Sequence, residues 1–193
     1  MMEALILSTL AVTLAEIGDK TQLLAFMLAT RFRRPVPIML GILAATLANH
    51  GLAGLLGSLL AQWISPLALR IGVAVSFLGM AAWILIPDEL DEDTPTRAGL
   101  GVFGATFVSF FLAEMGDKTQ FATITLAAHY ESTLMVIAGT TLGMLIADVP
   151  AIFIGQKMGQ KLPLALVQRC AALLFALLGL AAAWDAARLA GWL

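Results

Sequence analysis

Glu16-Ile17-Gly18-Asp19-Lys20-Thr21-Gln22 sets two carboxylates, an ammonium, a hydroxyl and an amide in the middle of a long apolar run. The same pattern returns 98 residues later as Glu114-Met115-Gly116-Asp117-Lys118-Thr119-Gln120, again inside an apolar run. Of the 193 residues, 60% are hydrophobic and 12% charged. A soluble domain carries about a quarter charged residues, so the chain reads as an all-α integral membrane protein. Ionisable groups inside membrane spans are costly and mark functional sites. The net charge of −2 and the lack of a basic block speak against a nucleic-acid partner. Cys170 is the sole cysteine, which excludes an internal disulfide. Met1-Met2-Glu3 has no basic run before the first apolar segment, so it is read as part of the mature chain.

A spanning helix needs roughly 20 apolar residues. Six segments qualify: Met2–Thr30, Pro37–Leu60, Leu67–Ile86, Ala98–Ala128, Ser132–Gly155 and Leu164–Leu189. The motifs fall in the first and fourth. At the same 98-residue offset Gly41, Ala45 and Gly57 fall on Gly139, Gly143 and Gly155. The chain therefore divides into residues 1–87, an acidic linker at 88–97, and residues 98–193. Each half has three spans, an odd number, so the second half enters the membrane from the opposite side. The expected architecture is six transmembrane helices as two inverted three-helix repeats, with the site where the repeats meet near the midplane. Arg31, Arg33, Arg34, Arg97, Lys157, Lys161 and Arg169 lie on one side, against Arg70 and Arg188 on the other. The positive-inside rule then puts the linker in the cytoplasm and both termini outside.

On an unbroken helix at about 100° per residue, Glu16, Asp19 and Lys20 share a face, and Thr21 and Gln22 point away. If the helix opens at Gly18 or Gly116, the threonines and glutamines come within reach. The metal-binding candidates are Glu16, Asp19, Glu114 and Asp117, with Thr21, Gln22, Thr119 and Gln120 as supporting ligands. All are hard oxygen donors, which suit Mg²⁺, Ca²⁺ or Mn²⁺. Four carboxylates and two lysines leave two negative charges, which one divalent cation neutralises. Lys20 stands four residues after Glu16, an ordinary helical ion-pair spacing, so Lys20 and Lys118 are read as charge balance. An empty site of this charge in a poorly hydrated pocket takes up protons as a coupled group, the minimal basis for exchange of a cation against protons.

Asp148 lies two residues before Pro150, which frees the carbonyl of Ile146. The 98-residue offset sets His50 opposite Asp148, with Asn49 beside it. These three form a candidate proton or ion path. Thr46, Thr140 and Thr141 are expected to bond within their own helices. No HExxH-like motif or serine dyad is present, so an intramembrane enzyme is not favoured. A channel would need no obligatory proton movement. A structural assembly protein would tolerate alanine at Glu16 or Asp117.

The doubled Glu-x-Gly-Asp-Lys-Thr, in six helices and about 200 residues, resembles the MneA/Gdt family of cation/proton exchangers, long catalogued as uncharacterised protein family 0016. The likeness covers nearly the whole chain, and both motif copies match. It implies proton-coupled transport of Mn²⁺, with Ca²⁺ as the alternative. The metal is a transported substrate and not a resident cofactor. A chain of this length implies a bacterial inner membrane and manganese export.

Overall fold

The computed structural model describes residues 1–86, 101–154 and 164–192. The acidic linker at 88–97 and Arg97, Lys157 and Lys161 lie outside the described residues. All regular structure described is helical: α1 (Met2–Glu16), α2 (Lys20–Phe32), α3 (Pro35–Trp63), α4 (Pro66–Trp83), α5 (Gly101–Glu114), α6 (Lys118–His129), α7 (Thr133–Ile154) and α8 (Leu164–Leu189).

Among the described residues, four stretches are long and apolar enough to cross a membrane: Pro35–Trp63, Pro66–Trp83, Thr133–Phe153 and Arg169–Leu189. The first and fourth apolar segments of the sequence each appear as two shorter helices. Whether each motif lies on one continuous helix, which the sequence left open, is answered: α1 gives way to α2, and α5 to α6, at the motif glycines. Other helix ends follow local chemistry. Pro35 and Pro66 open α3 and α4, at the position where a missing N–H removes no helical bond. Arg33, in the left-handed region at φ 53°, closes α2.

The outer surface is apolar. Leu52, Leu55, Leu59, Val75, Phe153 and Leu180 are all exposed, and so are Trp63 and Trp192 near chain turns. In water this would be an aggregation hazard; in lipid it is the solvated face, with tryptophan at the interfaces.

The halves interleave. α1 packs on α7 and α5 on α3; α3 also packs on α6, and α7 on α2. The spaced glycines make these contacts possible. A β-carbon on Gly41 of α3 would lie 3.0 Å from the carbonyl of Phe103 and 2.7 Å from Thr106 Cβ in α5. One on Gly139 of α7 would lie 2.6 Å from the carbonyl of Leu5 and 2.9 Å from Ser8 Cβ in α1. Every member of the second contact is 98 positions from its counterpart in the first. Gly143 repeats the approach against the carbonyl of Thr9, and Gly57 against that of Ile124. Packing of this kind is how helices associate in lipid, where no hydrophobic force separates inside from outside.

Candidate metal site

The two copies of the motif fold into similar devices: they share a glycine turn, a glutamine bond to the glycine amide and a threonine–glutamate bond, and only Asp19, not Asp117, adds a side-chain cap bond to the following helix. Gly18 and Gly116 stand at φ 88° and 80°, a region that penalises any β-carbon. A helix interrupted inside an apolar bundle leaves polar backbone groups that no water satisfies. The motif supplies its own partners. The amide of Gly18 donates to Gln22 Oε1 at 3.0 Å, and that of Gly116 to Gln120 Oε1 at 2.8 Å. The amides of Asp19 and Asp117 donate to the carbonyls of Glu16 and Glu114, at 3.0 and 3.1 Å. Asp19 caps α2, its Oδ1 accepting from the amide of Lys20 at 2.8 Å. Thr21 Oγ1 donates to Glu16 Oε2 at 2.5 Å, and Thr119 Oγ1 to Glu114 Oε2 at 2.8 Å.

The break also orients fields. The α1 and α5 carbonyl ends, at Glu16 and Glu114, are negative and favour a cation. The α2 and α6 amide ends are positive and favour the Asp19 and Asp117 carboxylates.

The two devices meet. Lys20 Nζ lies 3.0 Å from Asp117 Oδ1, and Lys118 Nζ 3.9 Å from Asp19 Oδ1. Each lysine therefore serves the aspartate of the other half. This corrects the four-residue helical pairing of Lys20 with Glu16: the break at Gly18 takes the two out of helical register, although the lysines still balance charge in the cluster. Glu16, Asp19 and Asp117 are buried, and a carboxylate oxygen from each lies within 4.8 Å of the other two. Two oxygens about 2.2 Å from one ion stand at most about 4.4 Å apart, so the group is already close to the span of a single cation. Glu114 stands outside this close group, though it is fully buried and its charge acts on Glu16. Glu16 Oε1, Glu114 Oε1 and Asp117 Oδ2 are buried, with no hydrogen-bond partner among the described residues. Buried acceptors of this kind call for a cationic ligand or a proton.

The remaining candidates divide. Gln22 reaches past the turn, and its Nε2 donates to the carbonyl of Ala147 in α7 at 3.0 Å. The next residue, Asp148, is fully buried, its charge acts on both Glu16 and Glu114, and neither of its oxygens has a hydrogen-bond partner among the described residues. Asn49 Nδ2 donates to the carbonyl of Phe111 in α5 at 3.0 Å, and so ties α3 to the helix ahead of the second break. His50 is buried, and its ring nitrogens have no hydrogen-bond partner among the described residues. Thr140 bonds within its own helix, to the carbonyl of Ile137, but the buried hydroxyls of Thr46 and Thr141, expected to do the same, have no hydrogen-bond partner among the described residues.

Sequence reading missed that the threonines hold the glutamates and that the glutamines cap the glycine amides. A signal was present. Gly-Asp-Lys-Thr places a strong N-capping residue directly after a glycine. The five-residue step from Glu16 to Thr21 makes no contact on an intact helix.

The description "Divalent cation/proton antiporter GDT1" matches residues 4–92 and 102–190, two segments that together take in nearly the whole chain. A protein of Vibrio cholerae named "Putative manganese exporter" is 53% identical over 186 residues, covering 95% of this chain and 92% of its own length. A GDT1-like protein of Synechocystis is 29% identical over 203 residues, covering 95% of this chain and 98% of its own. GDT1-like protein 3 of Arabidopsis thaliana is 26% identical over 202 residues, 90% of this chain and 68% of its own. No solved structure matches. With four helices among the described residues long and apolar enough to cross a membrane, an apolar outer surface and buried acidic turns in both matched segments, the chain is an integral membrane protein and belongs to the GDT1 family of divalent cation/proton antiporters.

Proposed function

We propose that this protein exports Mn²⁺ across a bacterial inner membrane in exchange for protons, through a site built by Glu16, Asp19 and Asp117. The observation that carries the reading is the buried convergence of those three carboxylates, drawn from two broken helices. The donor set is all oxygen, as hard divalent cations prefer. Manganese is the metal in the name of the Vibrio relative.

Two inverted repeats of three spans each organise the mechanism. α1 with α2 forms one span and α5 with α6 another; α3, α4, α7 and α8 complete six. The recurrence of the turn and of the glycine contacts at one offset supports the repeat, as does the separate match of residues 4–92 and 102–190. Exchanging the halves turns Glu16, Asp19 and Asp117 into Glu114, Asp117 and Asp19. The aspartates are common to both sets, so Glu114 takes the place of Glu16 when the site faces the other side. The cycle follows from charge. With the metal gone, carboxylates crowded in a dry pocket repel one another until protons neutralise them. Returning protons to the opposite side restores the charge that binds the next cation. Asp148, beside the carbonyl that Gln22 holds, extends the acidic group into α7 as a proton or ion path. Arg31 in the last turn of α2, Arg33 and Arg34 just after it, and Arg169 in α8 support an orientation with that end in the cytoplasm and the termini outside.

The test is reconstitution into vesicles holding a pH-sensitive dye, with Mn²⁺, Ca²⁺ and Mg²⁺ offered with and without a proton gradient. Mn²⁺ should move against protons, and Glu16→Gln and Asp117→Asn should each abolish both fluxes. Metal flux without proton movement would sink the exchange. Wild-type flux in both variants would sink the site. A Ca²⁺ flux exceeding that of Mn²⁺ would reassign the substrate.

A further inference from the structure

Exchange as described gives Lys20 no task beyond charge balance, yet its position is a specific one. Its ammonium is 3.0 Å from Asp117 Oδ1, and Asp117 is one of the three carboxylates that converge. A cation binding between those carboxylates comes within a few ångströms of that ammonium, where like charges away from water repel strongly. The reciprocal pair differs. Lys118 is 3.9 Å from Asp19, and its side chain is 4% exposed against 26% for Lys20. Lys118 is enclosed, whereas the Lys20 side chain is partly exposed. The aspartates that hold the two lysines are both almost fully buried, so the difference lies on the lysine side.

We propose that Lys20 is a tethered competitor for the transported cation: its ammonium holds Asp117 while the site is empty and leaves as the metal takes that carboxylate. The proposal rests on the site assignment above. It has two consequences. The lysine weakens metal binding by its own return to Asp117, and so speeds release. It also discriminates by charge: a dication gains more from the carboxylates than the ammonium it displaces, whereas Na⁺ or K⁺ brings no more charge than Lys20 already supplies. Lys20 is thus a specificity-determining residue that makes no bond to the metal.

The test uses the full chain in detergent, titrated with Mn²⁺ and followed by the paramagnetic resonance of the free ion. Lys20→Gln should bind Mn²⁺ at least tenfold more tightly, become sensitive to competition by Na⁺, and turn over at least fivefold more slowly in vesicles. Lys20→Arg retains the charge and should bind within threefold of wild type. Equal or weaker Mn²⁺ binding by Lys20→Gln, with an unchanged thermal transition, overturns the proposal. A readout on the wild type does not depend on any variant folding: acylation of Lys20 by a water-soluble amine reagent, quantified by mass spectrometry, should rise at least threefold when Mn²⁺ is added. Unchanged or reduced labelling overturns the proposal as well. Failure of the site itself looks different, because Glu16→Gln and Asp117→Asn would then bind Mn²⁺ as wild type does.

Discussion

Thr21 reaches back across the helix break to Glu16, its hydroxyl donating to Oε2 at 2.5 Å. The bond fixes a carboxylate that is fully buried and leaves its other oxygen without a hydrogen-bond partner among the described residues. A hydrogen bond to a charged group contributes about 1.5–3 kcal/mol. Thr21→Val keeps the volume and removes the donor, so Mn²⁺ affinity should fall roughly tenfold or more. Thr21→Ser should recover most of it. Titration calorimetry on the three proteins checks this, and wild-type affinity in the valine variant would mean that Glu16 needs no holding.

Gly116 and Gly139 are required for different reasons, and alanine separates them. An alanine β-carbon at Gly116 meets no atom within 4 Å, so the penalty is the positive φ alone. That costs about 1–2 kcal/mol. At Gly139 the same atom would lie 2.6 Å from the carbonyl of Leu5, and α1 must move away from α7. Thermal melting in a fixed detergent should show a fall of a few degrees for Gly116→Ala and a larger one for Gly139→Ala. The reverse order would contradict the packing.

Asp148 should matter for its charge. It is buried with both oxygens lacking hydrogen-bond partners among the described residues, and its charge acts on Glu16 and Glu114. Asp148→Asn preserves shape and should lower proton-coupled Mn²⁺ exchange at least tenfold in dye-loaded vesicles, while the protein still melts near the wild-type temperature. Exchange within twofold of wild type would leave Asp148 a bystander.

Tyr130, in the loop after α6, offers a pH-dependent reporter because it is the only tyrosine of the chain. Burial, then the charge of Glu3, then the 3.5 Å hydrogen bond to Glu3 Oε1 push its phenol up to about 12. A group raised in the folded state contributes stability below its unfolded value, about 10, and loses it as pH rises through the folded value. Tyrosinate absorbance should therefore stay low at pH 10 and rise near 12, with alkaline destabilisation in the same window. Glu3→Gln should move the absorbance transition towards lower pH. A wild-type transition at 10 would remove the contact between loop and N-terminus.

Much of this was legible in the sequence. The apolar runs gave the helices to within a few residues, because length and hydropathy suffice where lipid is the solvent. The repeated motif gave the acidic cluster, because charge at that depth needs a reason. The break itself stayed open, since a glycine in an apolar run suits either a continuous helix or a turn. The bonds that go with it, Gln22 on the Gly18 amide and Thr21 on Glu16, recur in the second copy as Gln120 on the Gly116 amide and Thr119 on Glu114. The exchange of lysines between halves is a matter of tertiary placement. Local spacing pointed instead to the nearer partner, Glu16, and was misleading for that reason.

The interleaving of the halves bears on how the chain is made. α1 finds its packing surface on α7 only after more than a hundred further residues have been synthesised, and Asp19 finds Lys118 after 99. During biogenesis the first half thus enters the bilayer with its acidic turn unmatched and its glycine grooves unfilled. Each half is the other's folding template, and a ribosome that stalls between them leaves a membrane fragment fit for quality control and not for transport.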